Sequence, residues 1–497
     1  MTSLTRRQFL RAIALLTIGG GASACATVQT RVLGGLSGQP AFPEALAPPD
    51  AKVFRALNRM TFGPRADEIA HAQSTGLAGW IEEQLAPMAI DDTGVSIRLS
   101  GFDTLSMSAG DIIDWSSQLF DDIDKDAPMT ELRSATLLRQ TYSHRQLYEV
   151  MVDFWSDHFN IFASKGLCWA FKTVDDREVI RPHALGNFKD LLRASARSPA
   201  MLEYLDNHSN HAGRPNENYA RELLELHTLG VNSGYTQSDV MELARCLTGW
   251  RWRDSGFRLG EFMFDTAVHD SGSKRVLDAD ISPSGAHEVD GVIERLAAHP
   301  GTARHLALKL AQRFLGATPP ADTVTRAATA YANSGGAIQA MLRPILLDGL
   351  ATTQPAMFKR PAHFLVSALR ALNANTDGAK PLLDALEHMG QLSFAWPSPD
   401  GYPIHDIAWQ HNLLPRWQFA LALAEDALDN TRVDWPALER WLAMPSPTLQ
   451  LDALATLLLG APLDAPLRDR MLHALGDTPS IQAQTAALIA SPQFQWH

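Results

Sequence analysis

The chain has 497 residues, 45% hydrophobic and 20% charged, with a formal net charge of −12 at pH 7. That is enough apolar material for one large domain or two. The acidic balance makes nucleic acid and anionic surfaces poor partners, and no segment beyond the N-terminus has the length and apolarity of a membrane span.

Thr5-Arg6-Arg7-Gln8-Phe9-Leu10-Arg11 matches the twin-arginine export pattern. The apolar run that follows, Ala12 to Ala22, is broken by Gly19, Gly20 and Gly21 and is too short to span a bilayer. Together they predict a signal peptide over residues 1–26, cut either before Cys25 or after Ala26. A lipid anchor on Cys25 is the third option; the small residues around it fit, but Ala22 stands where lipoprotein signals usually carry Leu. Residues 27–50, with Gly34-Gly35, Gly38, Pro40, Pro43 and Pro48-Pro49, read as a flexible linker. The expected location is the periplasm or cell envelope. Export would permit a disulfide between Cys168 and Cys246, but two buried thiols is the plainer reading.

From residue 51 to 497 the strong periodic signals are helical. Ala51–Met60, Ala66–Gln84, Glu131–Phe159, Met201–Leu205, Thr236–Trp250, Gly291–Phe314 and Pro361–Leu372 carry apolar residues at three-and-four spacing. Glu131–Phe159 reads as one long helix or two with a bend. Phe257–Phe264 is the best hairpin candidate, weakened by Gly260. The expected fold is all-α, a large multi-helix bundle-like domain with at most one small hairpin and a sub-boundary near 290–320. In the C-terminal third, Phe314-Leu315-Gly316-Ala317 onwards and Leu458-Leu459-Gly460-Ala461 onwards align as a weak repeat, read as a duplicated helical hairpin.

Residues 215–230, Pro-Asn-Glu-Asn-Tyr-Ala-Arg-Glu-Leu-Leu-Glu-Leu-His-Thr-Leu-Gly, are the most informative stretch. Pro215 suits a helix start and Gly230 the residue past its end. At about 100° per residue, Glu217, Asn218, Arg221, Glu222 and Glu225 share one arc, while His227 falls among Tyr219, Ala220, Leu223 and Leu226. The face is either a ladder of ion pairs or the wall of a polar site.

Asn58–Arg65, Phe154-Trp155-Ser156-Asp157-His158-Phe159-Asn160, Leu205-Asp206-Asn207, Pro215–Gly230, Leu247-Thr248-Gly249-Trp250 and His269-Asp270 with Lys274 occur in that order. In this set the chain resembles the bacterial family called domain of unknown function 1800, over about residues 50 to 495. The resemblance implies an exported helical protein, often encoded beside a second, sulfatase-like exported family. It carries no catalytic assignment.

Chemistry must therefore be read from the residues. A His-Glu-x-x-His zinc motif is absent: His287-Glu288-Val289-Asp290-Gly291 lacks the second histidine. On a regular helix Glu225 and His227 diverge, whereas Glu222 and Glu225 can share an ion. A divalent-metal site would need Asp157, His158, His269 or Asp270 to converge on those glutamates. His158, drawn inward by Phe154, Trp155 and Phe159, ranks first as an acid/base group. His269-Asp270 sits in a Gly/Ser loop suited to a ligand or to a capped turn. Asn216, Glu217 and Arg221 are candidate binding residues, as is Trp396 in the Pro-rich loop Trp396–Pro403. Two readings remain: a binding or scaffold protein working with a co-exported enzyme, and a metal-assisted hydrolase acting on an envelope or extracellular polymer.

Overall fold

In the computed structural model of the chain, Phe42 and residues 48–117, 126–231, 233–352 and 355–497 are described. The export signal, Cys25 and most of the linker lie outside these residues. The fold is all-α, as the periodicity predicts, but the described residues carry three small two-stranded sheets where at most one hairpin is expected, because strands of two or three residues leave no alternating pattern to read. No described helix is long and apolar enough to cross a membrane.

Helix boundaries follow local chemistry. Asp50 caps Ala51–Met60 by accepting from the backbone N–H groups of Lys52 and Val53. The run from Ala66 breaks into Ala66–Thr75 and Leu77–Leu85 at Gly76, whose φ is 78°. The long stretch around residue 145 is two helices, Ala127–Tyr142 and Gln146–His158, with Ser143 extended between them. Pro300 at a first helical position likewise splits the next run into Glu288–Ala298 and Pro300–Leu315. The hairpin differs from expectation in register. Phe262–Phe264 pairs with Trp250–Trp252, and Gly260 lies in the connection.

One apolar cluster runs from Ala56 to Phe494 and includes Trp80, Trp155 and Trp250, all fully buried. Cys168 and Cys246 are buried free thiols. Each segment of the weak sequence repeat lies in three successive helices, Pro300–Leu315, Ala321–Asn333 and Ile338–Arg343 in one and Pro447–Leu459, Ala465–Leu475 and Ile481–Ala490 in the other. In each, a glycine (Gly316, Gly460) ends the first helix.

Buried polar links tie the N-terminal helices to this core. Arg370 is fully buried, and its Nη2 donates to both oxygens of Glu68 at 2.6 and 2.7 Å. Its other nitrogens donate to the Gly63 and Thr141 carbonyls. Removing one partner of such a pair strands the other charge, at about 3–5 kcal/mol. Arg370→Met is therefore expected to lose about that much stability in urea unfolding, and adding Glu68→Gln should recover part of it. If the double variant is no more stable than the single one, the stranded carboxylate is not the cause.

Candidate functional site

The 215–230 motif is a helix in two parts. Asn216 caps Glu217–Leu224 by accepting from the Asn218 backbone N–H, and the last turn, Glu225–Leu229, widens into a π-helix before Gly230. Such wide turns are frequent at functional sites. Their geometry overrides the 100° wheel, so positions after Leu224 are placed by contacts rather than by regular spacing.

The last carbonyls of any helix lack intrahelical partners. Here histidines from two other helices supply them. His158 Nε2 donates to the His227 carbonyl at 3.1 Å, and His305 Nε2 to the Leu226 carbonyl at 3.3 Å. With Nε2 donating, His158 Nδ1 is an acceptor, and Lys309 Nζ donates to it at 3.1 Å. His158 is thus a neutral capping residue with both nitrogens engaged. Burial, then Lys309 and the neighbouring histidines, hold its pKa well below the ordinary value. His227 lies among Phe159, Tyr219 and His158 with both ring nitrogens unpartnered, and burial takes its pKa down to about 3.

Asp157 turns the other way and pairs with Arg360 at 2.6 Å. Burial raises its pKa despite that arginine. On this end of the Gln146–His158 helix sits the loop Trp396–Tyr402. Asn160 Nδ2 donates to the Trp396 and Ser398 carbonyls, and Tyr204 Oη to that of Pro397. Gly401 has φ 75°, and a Cβ there would stand 2.2 Å from the Asp157 carbonyl oxygen. Only glycine allows the loop to approach so closely. Trp396 Nε1 donates to Asp400 at 3.3 Å.

Between this loop and the central helix is an open groove of about 430 Å³, lined by Phe162, Lys165, Tyr204, Leu205, Asn218, Pro397 and Pro399. Lys165 is held by Asp206 at 2.8 Å. Asp400, next to Pro399, lies within electrostatic range of Glu222 and Lys309. Glu222 has a raised pKa through burial and then Glu225, while Glu225 accepts from Tyr235 Oη at 2.9 Å.

The other candidates fall elsewhere. Glu217 and Arg221 form the expected ion pair at 3.0 Å, bridged by Gln237. His269 faces the Glu288 carboxylate with Nε2 and the Thr248 carbonyl with Nδ1, and Glu288 also binds Lys274 at 2.8 Å. Asp270 is clamped by Arg245, which lowers its pKa to about 2. His158 and His269 share none of these partners. Among the described residues, no group of three or more His, Cys, Asp or Glu side chains is placed to hold a metal ion.

Sequence reading missed Lys309, Asp400, Tyr204 and Asn218 as site residues. The available signal was in the helix Pro300–Leu315, where His305 and Lys309 stand four residues apart and so share a face. Lys309 has no ion-pair partner within 4 Å among the described residues, and burial lowers its pKa to about 8. An unfolded lysine stays charged up to about 10.5. The burial penalty is therefore fully present below pH 8 and fades as pH rises through 10.5. Lys309→Met is expected to stabilise the fold by about 2 kcal/mol at pH 7, after discounting for water at the half-buried amine. The gain should shrink towards zero at pH 10.5, as urea unfolding at the two pH values will show. Destabilisation at pH 7 would mean that the bond to His158 outweighs burial.

The chain matches, over residues 55–496, the sequence model of a family described as "Protein of unknown function (DUF1800)". No curated protein and no solved structure matches it.

Proposed function

As the chain belongs to the DUF1800 family, which brings no reaction with it, we propose from the geometry that it is an exported binding protein of the cell envelope. Its ligand is an extended envelope or extracellular polymer, laid in the groove between the central helix and the Trp396–Tyr402 loop. The observation that carries this reading is the groove itself, about 430 Å³ and open, with apolar walls and few polar groups. That composition is typical of a ligand site. Tyr204, Phe162, Pro397 and Pro399 supply flat apolar contact, while Asn218 and Lys165 supply orientation.

The nearby ionisable groups suit recognition better than metal-assisted hydrolysis. His158 has both nitrogens committed to the fold, and His269 is held in its own buried cluster with Glu288. Lys309 donates to His158 Nδ1 but has no ion-pair partner within 4 Å among the described residues, and Glu222 is a carboxylate with a raised pKa. The twin-arginine pattern at residues 5–11 supports export. On this reading a co-exported sulfatase-like enzyme does the chemistry, and this chain holds its polymeric substrate.

Co-sedimentation of the purified protein with isolated cell-wall and capsular polymer fractions tests the proposal. Binding to at least one fraction is expected, with Asn218→Ala and Lys165→Met each weakening it about tenfold, the worth of one lost polar contact. Both variants should keep their melting temperature within a few degrees, since the Lys165–Asp206 pair is part-exposed. The proposal is sunk if no fraction binds, if both variants bind as the parent does, or if the protein alone degrades the polymer.

A further inference from the structure

One helix of the C-terminal third is apolar on both sides, and only one side is covered. In Leu414–Ala424 the buried face carries Phe419, Ala420, Leu423 and Ala424, and the helix's single charged residue, Arg416, is buried with them. Arg416 donates to the Lys359 carbonyl and to the Gln495 side chain. On the outer face Leu414 is 61% exposed, Trp417 44% and Leu421 53%. Spacings of three and four residues place them on one stripe. A helix that is apolar all round belongs in an interior.

The stripe extends into a larger patch through Phe358. The Trp496 ring packs on Phe358 at 5.1 Å, and the Arg416 guanidinium lies over the same ring at 4.6 Å. Trp409 and Leu413 belong to the Phe358 cluster, and Trp409 ends the turn Asp406–Trp409 that carries Ile407. Trp417 engages its one polar atom by donating to the Ala490 carbonyl. Ile407 and Trp496 are exposed as well, so five of the eleven large apolar side chains exposed among the described residues fall here. Single exposed apolar residues are ordinary, but a contiguous patch marks an interaction surface. At these exposures two tryptophans and three aliphatic side chains present roughly 500 Å² of apolar area. A polar rim brings that to the ~800 Å² that each partner buries in a stable complex.

The chemistry of the stripe selects its partner. A helix that lies on a lipid surface carries Lys or Arg along its rim, and here the only basic side chain of the helix is buried. The stripe is instead complementary to itself. Leu414 and Leu421 stand equally far from the midpoint between Trp417 and Gln418. A second copy turned about a twofold axis at that point lays its helix antiparallel to the first, with Leu414 of each copy on Leu421 of the other. His411 and Glu425, both exposed, flank the same midpoint almost symmetrically, so an imidazole meets a carboxylate at each end. Leu414, Trp417, Gln418 and Leu421 carry no charge to repel their own copies.

We propose that the outer face of Leu414–Ala424 is an isologous interface with a second copy of this chain, centred on Trp417 and flanked by Ile407 and Trp496. Trp409, beside the patch, packs on Tyr402 at 5.9 Å. The interface therefore braces the Trp396–Tyr402 loop from behind, and the dimer carries two grooves.

Sedimentation velocity of the full-length protein from about 1 to about 100 µM tests this, with a dimer of Kd about 1 µM or tighter expected. Trp417→Glu and Leu421→Glu should each weaken it at least about a hundredfold, as loss of a central anchor does. Both replace exposed side chains, so melting temperatures should hold. Orientation has its own readout. Gln418→Cys in a Cys25→Ser background should form a disulfide with its own copy on mild oxidation, since it lies next to the axis; Cys168 and Cys246 are buried and do not compete. This exposed substitution decides the matter if a glutamate variant fails to fold. A monomer at every concentration, with or without binding to lipid vesicles, overturns the proposal. So does a dimer that survives both glutamate variants, or one in which Gln418→Cys does not cross-link.

Discussion

The hydrogen bond from His158 to the His227 carbonyl is the contact on which the rest of the site depends. A helix end buried without partners for its carbonyls is unstable. In this chain the end of the central helix is buried among aromatic rings, and its π-turn presents the Leu226 and His227 carbonyls sideways. His158 and His305 satisfy them as neutral donors. A charged imidazole would be favoured by the helix dipole, but burial and the adjacent Lys309 oppose it. Fixing the proton on Nε2 leaves Nδ1 to orient Lys309. One bond thereby sets the helix end, the histidine tautomer and the lysine position.

The same histidine's neighbour fixes the other wall. Asp157 presents its backbone carbonyl to Gly401 and its carboxylate to Arg360. Asn160, three residues on from Asp157, holds the loop by two carbonyls. The segment Asp157–Asn160 therefore locates both sides of the groove, the central helix through His158 and the proline-rich loop through Asp157 and Asn160. Rigid placement of two walls from one short segment preorganises a binding groove, and preorganisation reduces the entropy lost on binding.

Much of this was legible in the sequence, and the failures have physical reasons. Periodicity gave the helical class and most helix positions, while breaks at Gly76, Ser143 and Pro300 shortened the long runs. The central motif's ion pair, Glu217–Arg221, was readable because α-helical spacing holds there. Beyond Leu224 the π-turn changed the spacing, and the wheel no longer applied. His158 was correctly drawn to the interior by Phe154, Trp155 and Phe159, but its partners are a carbonyl and a lysine about 70 and 150 positions away in sequence. Lys309 looks unremarkable in sequence because an isolated lysine on a helix is ordinarily solvated. Only tertiary packing makes it a partly buried cation.

Buried charge in this fold comes in two forms, and the contrast is informative. Arg370 with Glu68, Arg181 with Glu149 and Asp176, Lys172 with Asp175, and Lys274 with Glu288 are each matched by an acid within hydrogen-bond distance. These pairs lie between elements and act as braces. Lys309, Arg59, Arg313 and Lys359 have no Asp or Glu carboxylate within 4 Å among the described residues, and burial lowers the pKa of each. Uncompensated burial lowers stability, and a fold that can neutralise charge elsewhere has the means to do so here. What offsets the first three acts at longer range: Asp157 and Asp400 on Lys309, Asp406 on Arg59, and Asp153 with Asp157 on Arg313.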